Sequence, residues 1–186
     1  MHNVTPYWNK AISLEEYLRD IDNAIAGNTN PEYTPFYELN KKRIERLLKT
    51  YQPSEEQKLL LQSKEFKGKV LIISEGWCGD AAQSVPVVYK FFSPVGEVKI
   101  IYRDTNNLID SYLTNGAKSI PVVLLLNESN DVVAQWGPRP AYGDELLKKF
   151  KTDPSEYPKE QFLQDLQVAY NKDKGNAIAN ELLSLL

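Results

Sequence analysis

Apolar positions recur at helical spacing through the first third of the chain, shorten into continuous runs in the middle, and return to helical spacing at the end. Leu14, Tyr17, Leu18, Ile21 and Ile25 make one stripe, which at 3.6 residues per turn is one face of an amphipathic helix. Ser13-Leu14-Glu15-Glu16 has the form of a capping box at its start, Ile12 and Tyr17 stand where a hydrophobic staple would place them, and Gly27 is the expected stop. Thr34-Pro35 reads as the cap and first-turn proline of a second helix, whose apolar face would carry Phe36, Leu39, Ile44, Leu47 and Leu48. Ser54 and Gln57 open a third. From Lys69 the pattern predicts a buried strand at Val70 to Ser74, a helix at Asp80 to Phe92, a strand at Val98 to Arg103 and a helix at Asn106 to Leu113. Pro121 to Asn127 and Asp131 to Trp136 flank the turn-prone Glu128-Ser129-Asn130 as an antiparallel hairpin, and a helix follows near Tyr142 to Phe150. Helical spacing resumes at Lys159 to Tyr170, with Phe162, Leu163, Leu166 and Ala169 on one face, and at Asn176 to Leu186. The expected class is therefore α/β: a βαβαββα core over 69–150, a helical extension over 1–66 and C-terminal helices over 151–186. No repeat or low-complexity linker divides it, so a single domain is expected.

Composition narrows what this body can be. The chain has 186 residues, 42% of them hydrophobic and 25% charged, enough apolar surface to offset the entropy of ordering and to exclude wholesale disorder. Its longest purely apolar run, Val122 to Leu126, is far shorter than the ~20 residues a membrane-spanning helix needs. The start, Met1 to Trp8, has neither a basic cluster nor an apolar core, so no secretory signal and a cytoplasmic setting are expected. A net charge of −3 and the lack of a basic block argue against nucleic acid as a partner. Lys41-Lys42-Arg43, followed by Glu45, Arg46 and Lys49, reads as a solvated helix face, and the N-terminal helices as a whole read as a packing layer without chemistry.

With one Cys and one His, the chain lacks the ligands of a structural zinc site and cannot form an internal disulfide, and a Cys-His pair would have to recruit His2. The single thiol, Cys78, falls at a strand-to-helix junction in Ser74-Glu75-Gly76-Trp77-Cys78-Gly79-Asp80. There a sulfur facing unpaired backbone N–H groups and the positive end of a helix is stabilised as thiolate. Asp80 opposes this. At an assumed ~6 Å the repulsion is roughly 0.7 kcal/mol in water and about 3 at an effective dielectric of 20, against roughly 0.3–2 from the helix terminus, so the direction of the net shift stays open. The reactive reading expects Cys78 to be at least partly accessible and to cap a helix beginning at Gly79.

Trp77-Cys78-Gly79, Pro86 within the following helix, and Ile120-Pro121 opening the third strand resemble the active-site tryptophan, nucleophile, helix proline and cis-proline of the thioredoxin superfamily over residues 69–150. Trp77-Cys78-Gly79-Asp80 further resembles a bacterial thioredoxin-like branch marked by that tetrapeptide. The resemblance implies Cys78 as nucleophile, with Trp77, Gly79, Asp80, Ile120 and Pro121 around the substrate, the backbone before Pro121 pairing with an extended peptide. It also implies that the N-terminal helices replace the strand and helix with which full thioredoxins begin. Arg139, in the loop after the last strand, would bind a substrate carboxylate, hold Asp80, or lie in solvent. Ala81 stands where the dithiol members carry the resolving cysteine, and Ile72 where they carry a buried acid, so the expected chemistry is monothiol exchange. Protein or small-molecule disulfides would be substrates and a low-molecular-weight thiol or partner reductase would resolve them, with no cofactor or metal. The alternative is a non-catalytic module that docks peptides or proteins in the cis-proline groove. A one-cysteine peroxidase is discarded because Leu71 and Glu75 stand where it needs Pro and Thr, and a glutathione transferase needs a larger helical domain than follows Phe150.

Overall fold

The computed structural model of the chain describes residues 2–28 and 30–186. Met1, where the reading of the N terminus for a leader begins, and Thr29 lie outside the described residues. The elements in order are α1 (Thr5–Trp8), α2 (Leu14–Gly27), α3 (Thr34–Thr50), α4 (Glu55–Ser63), β1 (Lys69–Ser74), α5 (Gly79–Phe92), β2 (Glu97–Tyr102), β3 (Val122–Leu126), β4 (Val132–Trp136), α6 (Ala141–Thr152), α7 (Lys159–Asp173) and α8 (Asn176–Ser184).

The four strands form one sheet in the order β2-β1-β3-β4. β1 runs parallel to β2 and antiparallel to β3, so Ile72 faces Ile100 on one side and Val123 on the other, and β4 returns antiparallel beside β3. Val70 to Ser74 and all of β3 are buried, as continuous apolar strands must be when both faces of a sheet are covered. α5 packs on β1 and β2, and α3 and α8 pack on α5, while α6 lies against α7.

The start signals of α2 and α4 act as expected. Ser13 accepts from the Glu16 amide and Glu16 returns to the Ser13 amide, and Ser54 with Gln57 does the same. Three local expectations are corrected. Gly27 is the last helical residue, and the left-handed stop is Asn28 (φ 42°), a conformation asparagine tolerates through local side-chain hydrogen bonding. Tyr33 precedes α3 in place of the expected Thr34 cap, because the Thr34 hydroxyl donates backward to Asn28 Oδ1 and the Asn30 carbonyl. The helix expected at Asn106 to Leu113 is reduced to one 3₁₀ turn, Leu108–Ser111, with another, Arg103–Thr105, ahead of it. Asn106 donates to the Tyr102 carbonyl and accepts from the Leu108 amide, and such side-chain bonds compete with a continuing helix.

The N-terminal segment is stitched to the sheet rather than laid beside it. Ile12 exchanges both backbone hydrogen bonds with Ile100 at the outer edge of β2, at 2.8 Å each, and the Val4 amide donates to Asn130 in the β3–β4 turn. Tyr17 and Ile21 of α2 and Ile44 and Leu47 of α3 are buried in the common core. No helix among the described residues is long and apolar enough to cross a membrane.

Candidate functional site

β1 ends at Ser74, and the chain turns through Glu75, Gly76 and Trp77 so that Cys78 becomes the residue before the first turn of α5. Cys78 is only 9% exposed, and its Sγ donates to the Ile120 carbonyl at 3.4 Å. Burial pushes the thiol up to about 11, and the Asp80 charge adds to that; the amides of Ala81 and Asp80 pull the other way and lose. The thiol expected to be at least partly accessible is nearly covered, and the direction left open in the sequence is set by burial. The helix terminus does supply amides, but the desolvation cost of a buried anion is larger.

The Ile120–Pro121 peptide is cis, as is Gly137–Pro138. Pro121 is buried and Ile120 is 5% exposed, with the Ile120 carbonyl already taken by the thiol. Gly137 (φ 116°) is where the following loop crosses this segment: a Cβ there would lie 2.3 Å from the Pro121 carbonyl oxygen, so only glycine permits the approach. That crossing brings Arg139 over the start of α5.

Arg139 holds Asp80. Its Nε and Nη2 both donate to Asp80 Oδ2, while Tyr170 of α7 donates to Asp80 Oδ1 at 2.9 Å. The pair is largely buried, with side chains 15% and 12% exposed. Burial works against the Arg139 cation, but the charge and hydrogen bonds of Asp80 outweigh it and leave its pKa above the usual arginine value. Trp77 stacks on Tyr33, the residue before α3, ring centroids 5.3 Å apart, and the Arg103 guanidinium lies 4.9 Å from the Trp77 ring centre.

Trp77, Cys78, Gly79, Asp80 and Arg139 line one cleft of about 470 Å³; Ile120 and Pro121 lie outside its lining, and Ile120 meets it only through the Cys78 thiol. Much of the rest of the wall comes from two helices in which the sequence showed no chemistry. α3 contributes Phe36, Leu39, Asn40 and Arg43, with Tyr33 just before it, and α7 contributes Leu163, Leu166, Gln167 and Tyr170. Phe36, Leu39 and Leu163, read from the sequence as parts of apolar helix faces, are 52%, 46% and 50% exposed. Arg43, expected on a solvated face, is half-buried and hydrogen-bonds Asn40 Oδ1. Asn40 is 1% exposed and donates to the Gly76 carbonyl at 3.0 Å, tying α3 to the Cys78 loop. One signal pointed to it: Asn40 is a polar residue at helical spacing from the apolar Phe36, Ile44 and Leu47. Tyr170 likewise continues the spacing of Phe162 and Leu166.

His2 is occupied elsewhere, hydrogen-bonded to the Tyr112 hydroxyl at 2.8 Å. Among the described residues no group of three His, Cys, Asp or Glu side chains is placed to hold a metal ion.

A family model described as thioredoxin matches residues 27–151. No curated protein matches the chain. Among solved structures, a protein of unknown function from Pseudomonas aeruginosa superposes with a TM-score of 0.63 at 16% identity, covering 100% of this chain and 97% of its own. An HIV epitope-scaffold superposes with a TM-score of 0.61 at 14% identity, covering 99% and 97%. At such identities these two likenesses concern the fold alone.

Proposed function

Taking as premise that the chain belongs to the thioredoxin family, we propose that Cys78 performs monothiol exchange with disulfides that reach it through the cleft, and that an external low-molecular-weight thiol or partner reductase completes the cycle. The supporting observation is the position of the sulfur: it is the one thiol of the cleft wall, on the residue that precedes the first turn of a 14-residue helix. The Cys78 thiolate attacks one sulfur of R–S–S–R′, forming Cys78–S–S–R and releasing R′S⁻. A second thiolate, R″S⁻, then attacks the sulfur of R, giving R–S–S–R″ and restoring Cys78. Ala81, fully buried beneath, has no sulfur to do this within the chain.

The rate is set by the raised pKa. Against a free cysteine near 8.5, a thiol near 11 has about 300-fold less thiolate at neutral pH, while its greater intrinsic nucleophilicity returns only about tenfold. Exchange is then about 30-fold slower than for an exposed thiol, which protects Cys78 from disulfides that do not bind. The same burial favours the second reading, a non-catalytic thioredoxin-fold binding module.

Cystamine added to the native protein distinguishes the two. The exchange reading expects a mixed disulfide by mass, with no turnover until a small thiol is supplied. A thiol that forms the adduct only after denaturation leaves the binding module as the correct reading.

A further inference from the structure

Thiol exchange uses the sulfur and the helix terminus; it does not use the rest of the cleft. Three charged side chains line it: Arg43, Asp80 and Arg139. Asp80 and Arg139 neutralise each other, with Tyr170 completing the carboxylate. Arg43 is left over as a positive charge: no carboxylate lies within 4 Å of it among the described residues, and its side-chain partner is the neutral Asn40. It is half-buried, and burial with the neighbouring Arg46 holds its pKa below the usual arginine value, against the weaker pull of the Asp80 charge. The Gln167 side-chain nitrogen, in the same lining, is buried with no acceptor. Phe36, Leu39 and Leu163, each about half exposed, supply apolar surface to the same cleft. A volume of about 470 Å³ falls in the ~300–1,000 Å³ range of small-molecule pockets.

We infer that the cleft binds a small carboxylic acid with an apolar body, its carboxylate received by Arg43 and the Gln167 amide and its hydrocarbon lying over Phe36, Leu39 and Leu163. A monoanion matches the single surplus charge; a phosphate dianion would exceed it and face Asp80 as well. Asn40 is the positioning residue, since its bond to the Gly76 carbonyl fixes the guanidinium beside Gly79. The inference deepens the exchange reading by giving the class of the occupant, and rests on that reading only for the idea that the occupant meets Cys78.

Binding is measured by titration calorimetry on Cys78→Ser, which cannot exchange, with decanoate as probe and decanamide and decan-1-ol as uncharged controls. One decanoate per chain is expected, bound at least about tenfold more tightly than either control. Arg43→Gln should weaken decanoate about tenfold and leave decan-1-ol unchanged, Arg43→Lys should restore part of the loss, and Leu163→Glu should weaken all three probes. The comparison of probes on otherwise unaltered protein decides the matter even if an Arg43 variant fails to fold. Decanoate binding no tighter than the controls, or a folded Arg43→Gln variant that binds it as before, overturns the inference. So does a peptide ending in an apolar residue that binds more tightly than decanoate. Because the sulfur is absent, decanoate binding survives a failure of the exchange reading, and cystamine adduct formation on the unaltered chain survives a failure of this one.

Discussion

At Cys78 the helix terminus and burial pull in opposite directions, and burial prevails. The consequence is a pH dependence with a definite sign. In the unfolded chain the thiol ionises near 8.5, and in the folded chain at about 11, so between those values only the unfolded state has released its proton. Stability is unaffected by this group below about pH 8.5 and falls as pH rises toward 11, by roughly 3 kcal/mol in all. Urea melts at pH 7 and pH 10 should show the native protein losing more stability than Cys78→Ser. Alkylation by iodoacetamide should accelerate about tenfold per pH unit up to pH 10; a plateau below pH 9 would contradict the buried thiol. Ala81 supports a second test at this scale. Residues 78 and 81 lie at the start of α5, so Ala81→Cys puts two sulfurs one turn apart, within the ~4.4–6.8 Å Cα separation a disulfide tolerates. The variant should lose both thiols on mild oxidation and then reduce an external disulfide without helper thiol, whereas the native chain stalls. Two thiols persisting after oxidation would show that the turn cannot close.

Among the elements, α3 differs most from what its pattern suggested. Its lower half, Ile44 and Leu47, is an ordinary buried stripe. Its upper half carries Phe36, Leu39, Asn40 and Arg43 at the same helical spacing but faces the cleft. Periodicity specifies which residues share a face; it does not say whether a partner covers the whole length of that face. Asn40 links the two halves. Replacing it by Ala leaves the Gly76 carbonyl without its buried donor, which should cost about 1–3 kcal/mol. The Cys78 loop should also loosen, so alkylation in Asn40→Ala should be faster than in the native protein at equal pH. Equal urea midpoints and equal alkylation rates would reduce this link to a passive contact. α7 plays the matching part from the other end of the chain, since Tyr170 reaches Asp80 across 90 residues of sequence.

On the scale of the whole molecule, the two helical ends close around the start of α5. Glu181 of α8 accepts from the Trp136 indole at 2.6 Å and from the Ala141 amide at 2.9 Å, fixing the loop that carries Arg139. The N-terminal segment contributes an edge pairing to β2 and several fully buried side chains. At ~1.5–3 kcal/mol for each such side chain, the loss of Tyr17, Ile21, Ile44 and Leu47 alone is comparable to the ~5–15 kcal/mol total stability of a domain. A chain beginning at Lys67 should therefore fail to melt cooperatively, by calorimetry or circular dichroism. A melt unchanged from the full chain would show that residues 1–66 are an independent appendage.

The sequence by itself determined the strands, because runs such as Val70 to Ile73 and Val122 to Leu126 can be satisfied only in a covered sheet, and it determined the starts of α2 and α4, whose capping boxes are local. It also placed the thiol at the strand-to-helix junction, since the motif and the change of period coincide there. The burial of Cys78, the capture of Asp80 by Arg139 and Tyr170, and the half-covered faces of α3 and α7 were decided only by tertiary structure. Each depends on the distance between segments far apart in the chain. Hydrogen bonding, desolvation and charge pairing are set by that distance, and no local pattern of residue types encodes it.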